Sequence, residues 1–179
     1  MSKILWKPSE KSIKKTNMAG LYERVFKTKI KSPRQFIYQS LHDWSIKNIE
    51  DFWSLVWDEA NIIGDKGSQI ISEYDDLIKS KFFPKGRLNF SENLLAGENN
   101  REVIVFYDER EKRISLTLNE LKQKTIALAK WLIKNGIKSG DRVAVLGTNS
   151  PESIIAMLAT ASVGAIFTSC SPDFGEEGI

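Results

Sequence analysis

The residues best placed to do chemistry in this sequence form a polar turn, Cys170–Gly175. The turn follows an apolar segment, Ala165–Ser169, which is predicted to be a buried strand. In open α/β sheets, ligands bind beyond the carboxyl ends of the strands, so the segment Ser171-Pro172-Asp173-Phe174 is the candidate ligand site. A plain loop in which Asp173 caps a following helix fits the same residues. Both interpretations stay open.

Other reactive side chains are few. His42 is the sole histidine, and it lies in a predicted helix between Leu41 and Trp44, where a packed or capping histidine is commoner than a base. Cys170 is the sole cysteine, and we expect it to pack as a small apolar residue. The sequence contains neither G-x-G-x-x-G nor G-x-x-x-x-G-K-[ST], the glycine motifs that bind phosphates. It therefore predicts no catalytic residue and no metal ligand.

The elements that would position the turn form a βαβ unit. A strand is predicted at Arg142–Leu146, a helix from Ser150 to about Ser162, and the second strand at Ala165–Ser169. Gly164 separates the helix from the second strand. Two strands joined by one helix pair in parallel, so their carboxyl ends meet at one edge of the sheet.

A hairpin and a long helix precede this unit. Val103–Tyr107 and Arg113–Leu116 are predicted to be antiparallel strands. Thr117 and Glu120 have the spacing of a capping box, which opens a helix that ends at Gly136. The residues predicted to be buried on this helix are Leu121, Ile126, Leu128, Ala129, Leu132 and Ile133.

Residues 1–100 are predicted to form an aromatic-rich helical extension, and residues 101–179 the start of an α/β domain. Ser32 and Pro33 are predicted to open one helix, and Asn48 a second. Residues 81–97 are predicted to be a loop-like connector. The predicted fold class is α/β (mixed α+β), with a helical N-terminal subdomain packed on an incomplete, partly parallel sheet that contains the βαβ crossover.

Charge and composition restrict the partners and the compartment. Residues 1–50 carry 11 Lys and Arg against 4 Asp and Glu, an excess that is typical of a basic arm that binds nucleic acid or an anionic membrane. Acidic neighbours of the aromatic residues favour a solvated extension, and no nucleic acid is expected. A single cysteine excludes an intrachain disulfide and favours the cytoplasm, and a mitochondrial presequence is the alternative. The uncharged stretch 153–172 predicts a buried helix and strand and no membrane span.

The stretch from Thr117 onward resembles the adenylate-forming superfamily of acyl-CoA synthetases. The matching residues are LTLNELKQKTIALAKWLIKNGIKSGDRVAVLGTNSPESIIAMLATASVGAIF. They follow the family order of a T-x-x-E-L helix, a G-h-x-x-G-D-R-V-A segment, a polar turn, an Ala-rich helix and G-A. Upstream, KFFPKGRLNFSENLL is similar to a segment of the acetyl- and acetoacetyl-CoA synthetase branch, from which it departs at Lys85-Gly86.

Within that branch, three features are most similar to acetoacetyl-CoA synthetases. They are LHDWS followed by Phe52-Trp53, the early segment LWKPSEKSIKKTNM, and SPDFG at 171–175. The resemblance implies that a carboxylate, here acetoacetate, attacks the α-phosphate of Mg·ATP and that coenzyme A then displaces AMP. It also implies that the segment Ser171–Phe174 lies near the CoA channel.

The resemblance implies that the phosphate loop, the magnesium-contacting segments and the catalytic lysine of this family lie beyond residue 179. We therefore expect residues 1–179 alone to be inactive and to bind ATP, Mg and coenzyme A weakly at most. A standalone protein-interaction module that keeps the fold without catalysis is the alternative. An exposed sheet edge would favour self-association, and a compact monomer would favour the standalone module.

Overall fold

The computed structural model describes residues 5–32, 37–76, 78–175 and 178. The chain divides into two compact units, Met1–Glu59 and Ala60–Ile179. The division of the sequence into a helical extension, residues 1–100, and the start of an α/β domain, residues 101–179, stays a prediction.

The first unit contains short helices, and side chains cap the first two of them at their N-termini. Thr16 precedes the second helix, and its hydroxyl accepts a hydrogen bond from the N–H of Ala19 at 3.1 Å. Apolar side chains from two of the helices and a connecting segment form the core of this unit: Ala19, Tyr22, Ile30 and Leu41. The helices are α1 (Glu10–Lys14), α2 (Asn17–Val25), α3 (Tyr38–Lys47) and α4 (Ile49–Glu59).

Helix α3 begins later than the sequence predicted. Residues 33–36, which include Pro33, lie outside the described residues. Ile37 has an extended backbone and precedes the first helical residue, Tyr38. Ser32 is too far from Tyr38 to cap this helix, because a capping side chain bonds only to N–H groups two or three residues on. The predicted start of α4 is confirmed, since the Asn48 carbonyl accepts from the N–H of Phe52.

The second unit opens with two small antiparallel ladders. Strands β1 (Gly64–Asp65) and β4 (Arg87–Leu88) form one, and β2 (Ile71–Ser72) and β3 (Lys81–Phe82) form the other. A short helix, α5 (Phe90–Leu94), follows. The prediction of a loop-like connector over 81–97 was therefore wrong in part. Pro84 and Gly86 do mark a turn, but Asn89 caps a helix directly after it.

The predicted hairpin and capping box are confirmed. Strand β5 (Glu102–Tyr107) pairs antiparallel with β6 (Arg113–Thr117), and α6 (Leu118–Lys134) begins directly after β6. The hydroxyl of Thr117 accepts from the N–H of Glu120, and the Glu120 carboxylate accepts from the N–H of Thr117 at 2.8 Å. That backbone hydrogen bond lowers the pKa of the Glu120 carboxyl below its ordinary value.

The buried face of α6 is narrower than predicted. Leu121 and Leu132 are buried as expected, but Ile126 and Ile133 are more than half exposed. Thr125, which was not predicted, is buried instead. With 3.6 residues per turn, positions 118, 121, 125 and 132 share one face of the helix, and positions 126 and 133 lie about 100° away from it.

The predicted βαβ unit is confirmed. Strand β7 (Arg142–Leu146) leads into α7 (Pro151–Ser162) and then into β8 (Ile166–Cys170), which pairs parallel with β7. The core of the second unit joins β6 and α6 to α7 through four buried side chains: Leu116, Leu121, Ile155 and Leu158. The mixed α/β class therefore holds, although the strands form separate two-stranded ladders within the described residues.

No helix among the described residues is long and apolar enough to cross a membrane. The uncharged stretch 153–172 divides into the end of α7 and the strand β8, as predicted.

Candidate functional site

The candidate site lies where the two parallel strands end together. Leu146, the last residue of β7, is in register with Cys170, the last residue of β8. The N–H of Gly147 donates to the Cys170 carbonyl at 3.3 Å, so the pairing continues one step past β7. The segments that leave both strands therefore start side by side, at the edge where α/β folds bind ligands.

The turn after β8 is held by its own side chains. The hydroxyl of Ser171 accepts a hydrogen bond from the N–H of Asp173 at 3.2 Å and lies 2.9 Å from the Asp173 carboxylate. Pro172–Phe174 forms a single 3-10 turn capped by Ser171. The interpretation in which Asp173 caps a following helix stays a prediction, because residues 176 and 177 lie outside the described residues.

The side chains of this turn are available to a ligand. Asp173 and Phe174 are exposed, and Phe174 keeps 65% of its surface accessible. Gly175 has φ of 70°, a value that favours glycine and turns the chain after the ring. The arrangement offers one carboxylate, one hydroxyl and one aromatic face within four residues.

A second polar turn shares this edge, and the candidate site residues predicted from the sequence did not include it. Residues 147–150 follow β7, and the hydroxyl of Ser153 donates to the carbonyl of Thr148 at 2.9 Å. This bond ties the turn to the first turn of α7. The sequence could have predicted that residues 147–150 lie at this edge, because the carboxyl ends of two paired parallel strands lie together.

The two remaining reactive side chains, His42 and Cys170, belong to different units. His42 stacks on Tyr38 in α3, with ring centroids 5.9 Å apart, and its Nδ1 lies 3.8 Å from the carboxylate of Asp43. Cys170 is half-buried at the end of β8. Among the described residues, no group of three or more His, Cys, Asp or Glu side chains is arranged to hold a metal ion.

Two family models match adjoining parts of the chain. The model for the acetyl-coenzyme A synthetase N-terminus matches residues 38–94. The model for the AMP-binding enzyme matches residues 92–179 and so contains the hairpin, the βαβ unit and the candidate site.

Individual relatives match nearly the whole chain. The acetoacetyl-coenzyme A synthetase of Rhizobium meliloti is 39% identical over 176 residues, which are 98% of this chain and 27% of the relative. The acetoacetyl-CoA synthetase of Gallus gallus is 34% identical over 99% of this chain and 27% of its own length. The malonamoyl-CoA synthetase of Penicillium aethiopicum is 33% identical over 98% of this chain. The chain thus spans about a quarter of the length of these relatives.

A solved structure shows the same fold. The acetoacetyl-CoA synthetase from Streptomyces lividans superposes with a TM-score of 0.84 at 27% identity, over 97% of this chain and 27% of that one. With two adjoining family models, relatives matched from end to end and this superposition, the chain belongs to the AMP-binding enzyme family and corresponds to the N-terminal part of its acetoacetyl-CoA synthetase branch.

Proposed function

We propose that this chain forms the N-terminal part of an ATP-dependent acid–CoA ligase that acts on acetoacetate. The net reaction converts acetoacetate, ATP and coenzyme A into acetoacetyl-CoA, AMP and diphosphate. The observation that carries the proposal is the 39% identity to the Rhizobium meliloti acetoacetyl-coenzyme A synthetase over 98% of this chain. We further propose that residues 1–100 are the extension of this ligase and that residues 101–179 begin its AMP-binding domain.

The turn Ser171–Phe174 is proposed to line the path of coenzyme A. Its support is the position of the turn beyond the carboxyl end of β8, next to the turn that follows β7. The exposed Phe174 ring offers a face for an adenine ring, and the Ser171 hydroxyl can donate to a phosphate or carbonyl oxygen once it leaves Asp173. ATP with Mg is the proposed co-substrate of the ligase, and we assign no magnesium ligand to the described residues.

Acetoacetate is favoured over other acids by the closeness of the relatives. The acetoacetyl-coenzyme A synthetase of Rhizobium meliloti is 39% identical, whereas the malonamoyl-CoA synthetase of Penicillium aethiopicum is 33% identical over the same share of this chain. The cytoplasm is the proposed location, because a sequence with one cysteine needs no oxidising compartment.

A chimera tests the function directly. This chain would replace the segment of the Rhizobium meliloti protein that it matches, and AMP release would be followed with ATP and coenzyme A present. We expect AMP release that depends on acetoacetate and exceeds the release with malonamate or acetate. The unaltered Rhizobium meliloti protein and residues 1–179 alone are the controls, and we expect the isolated residues to release no AMP.

Two results would contradict the proposal. One is a chimera that melts cooperatively at a temperature close to that of the unaltered protein but releases no AMP. The other is robust thioester formation by residues 1–179 without any added segment.

The competing candidate is a module that acts through protein contacts. It is favoured by the apolar side chains of Leu146 and Ile166, which are exposed on one face of the β7–β8 ladder. We propose that such a module would bind a second copy of the chain through this ladder.

A further inference from the structure

Helix α5 is joined to the rest of the second unit by the side chain that caps it. The Oδ1 atom of Asn89 accepts from the N–H of Glu92 at 3.1 Å, which is an ordinary N-cap. Its Nδ2 atom donates in the opposite direction, to the carbonyl of Ala161 at 3.0 Å and, more weakly, to that of Ser162 at 3.4 Å. One amide therefore joins the start of α5 to the end of α7, 72 residues further along the chain.

A second asparagine extends the same connection upstream. The Oδ1 atom of Asn93 accepts from the N–H of Ile63 at 2.8 Å, and its Nδ2 atom donates to the carbonyl of Ile63 at 2.9 Å. The Nδ2 atom also donates to the carbonyl of Asn89 at 2.9 Å. The two asparagines thus link Ile63, α5 and the end of α7 in one chain of hydrogen bonds.

Apolar packing fixes the end of α5 through Leu95, which follows the helix and packs against the core cluster, but fixes less of the helix itself. Its two large apolar side chains, Phe90 and Leu94, are both about half exposed. Ser91 on α5 and Thr160 on α7 are completely buried, and neither hydroxyl has a hydrogen-bond partner among the described residues. A buried hydroxyl without a partner is unfavourable, so the bonds made by Asn89 and Asn93 must offset that cost.

The end of α7 is the point from which β8 starts. The Gly164 carbonyl, just beyond α7, accepts from the N–H of Gly140 at 3.1 Å, and the Ser139 hydroxyl lies 3.3 Å from it. Asn89 bonds to the preceding turn of the helix. The five-residue strand that follows carries the turn Ser171–Phe174 at its far end.

We propose that Asn89 is a positioning residue that fixes the end of α7, and with it strand β8 and the turn Ser171–Phe174. The residue lies in the upstream segment, outside the AMP-binding model that begins at residue 92, yet it sets the geometry of the strand within it. For catalysis the inference rests on the proposed function, because it assumes that the turn lies along the path of coenzyme A.

Asn89→Asp separates the two roles of this side chain. A carboxylate keeps the acceptor for the Glu92 N–H but places an oxygen where the amide donates to Ala161. Hydrogen exchange on the 179-residue chain would be read at the amides of Gly164, Ala165 and Ile166, each of which is hydrogen-bonded in the parent. We expect these amides to exchange about tenfold faster in the variant, with the amides of α6 unchanged.

Asn135→Asp is the matched control. The Nδ2 atom of Asn135 also donates to a helix carbonyl, that of Trp131 at 2.8 Å, but within its own helix α6. We expect that change to act at the end of α6 and to leave residues 164–166 protected. Unchanged exchange in Asn89→Asp, or equal acceleration by Asn135→Asp, would overturn the inference. If Asn89→Asp does not fold, Asn89→Ser keeps a capping hydroxyl without introducing a charge and gives the same readout.

The chimera supplies the catalytic readout. In it, Asn89→Asp should raise the KM for coenzyme A about tenfold while kcat and the KM for ATP stay within about twofold. A fall in kcat together with a rise in every KM would show a structural role only. That result would remove the catalytic part of the inference. A chimera that is inactive with Asn89 in place counts against the proposed function and leaves the exchange result standing.

Discussion

At the scale of single residues, Gly164 ends α7 with a backbone that other residues adopt only under strain. Its φ is 75°, and an added Cβ would lie 3.0 Å from the hydroxyl oxygen and 3.3 Å from the Cβ of Ser139. Gly164→Ala should therefore lower the free energy of unfolding by roughly 1–3 kcal/mol. Equilibrium denaturation in urea, read as the shift in midpoint, measures the loss.

Gly136 is the matched control for this prediction. Its φ is 86°, but nothing lies within 4 Å of an added Cβ. Gly136→Ala should cost only the backbone strain, about 1 kcal/mol. If both variants lost the same stability, the contact of the added Cβ with Ser139 would contribute nothing to the loss at Gly164.

Local sequence patterns predict the structural roles of some residues but not those of others. The capping box of Thr117 and Glu120 was predicted because both partners lie within four positions of each other. The capping role of Asn89 also has a local signal, an acceptor just before a helix. Its bond to Ala161 has none, since the partner is 72 residues away and is a backbone carbonyl that any sequence would present.

At the scale of elements, the packing of α7 against α6 and β6 forms the core of the second unit. Leu158 is 2% exposed and belongs to the buried cluster that joins these elements. Leu158→Ala should lower the free energy of unfolding by about 2–5 kcal/mol, because it removes buried methyl groups and leaves a cavity.

Ile154 provides the comparison on the same helix. It is 40% exposed, so Ile154→Ala should cost less than about 1 kcal/mol. Both variants would be measured by urea denaturation with near-ultraviolet and far-ultraviolet circular dichroism. Equal losses in the two variants would mean that α7 does not bury the face assigned to it.

Element boundaries were predictable where glycine, proline or a cap marked them. The βαβ unit was found because Pro151 opens its helix and Gly164 ends it. Helix α5 was missed because five residues are too few to show a helical period, and its neighbours Pro84 and Gly86 indicated a loop. The asparagine that caps it and the asparagine within it also form tertiary hydrogen bonds, which no local pattern encodes.

At the scale of the whole molecule, the residues predicted where the candidate site lies but not which reaction it serves. The rule for parallel strands located the turn after β8, and the family resemblance supplied the reaction, which the residues of this chain do not themselves indicate. The chain corresponds to 27% of the length of its acetoacetyl-coenzyme A synthetase relative from Rhizobium meliloti.

The β7–β8 ladder leads to a prediction about the chain as a whole. Parallel sheets are normally covered on both faces. In this ladder Val143 and Phe167 share the less exposed face, whereas Leu146 and Ile166 on the other face are 56% and 52% exposed. Exposed apolar side chains beside strand edges that are unpaired among the described residues favour association with another copy.

Sedimentation velocity on the 179-residue chain, from about 5 to about 200 μM, should show a mass that rises above 20.3 kDa with concentration. The double change Leu146→Lys and Ile166→Lys should restore the monomer, because two ammonium groups on the exposed face repel a second copy without disturbing the core. The matched control is Ile78→Lys with Ile133→Lys, which adds the same charge at exposed isoleucines of the same unit and should leave association unchanged. A parent chain that stays monomeric throughout, or a control pair that dissociates it equally well, would exclude this face as the site of association.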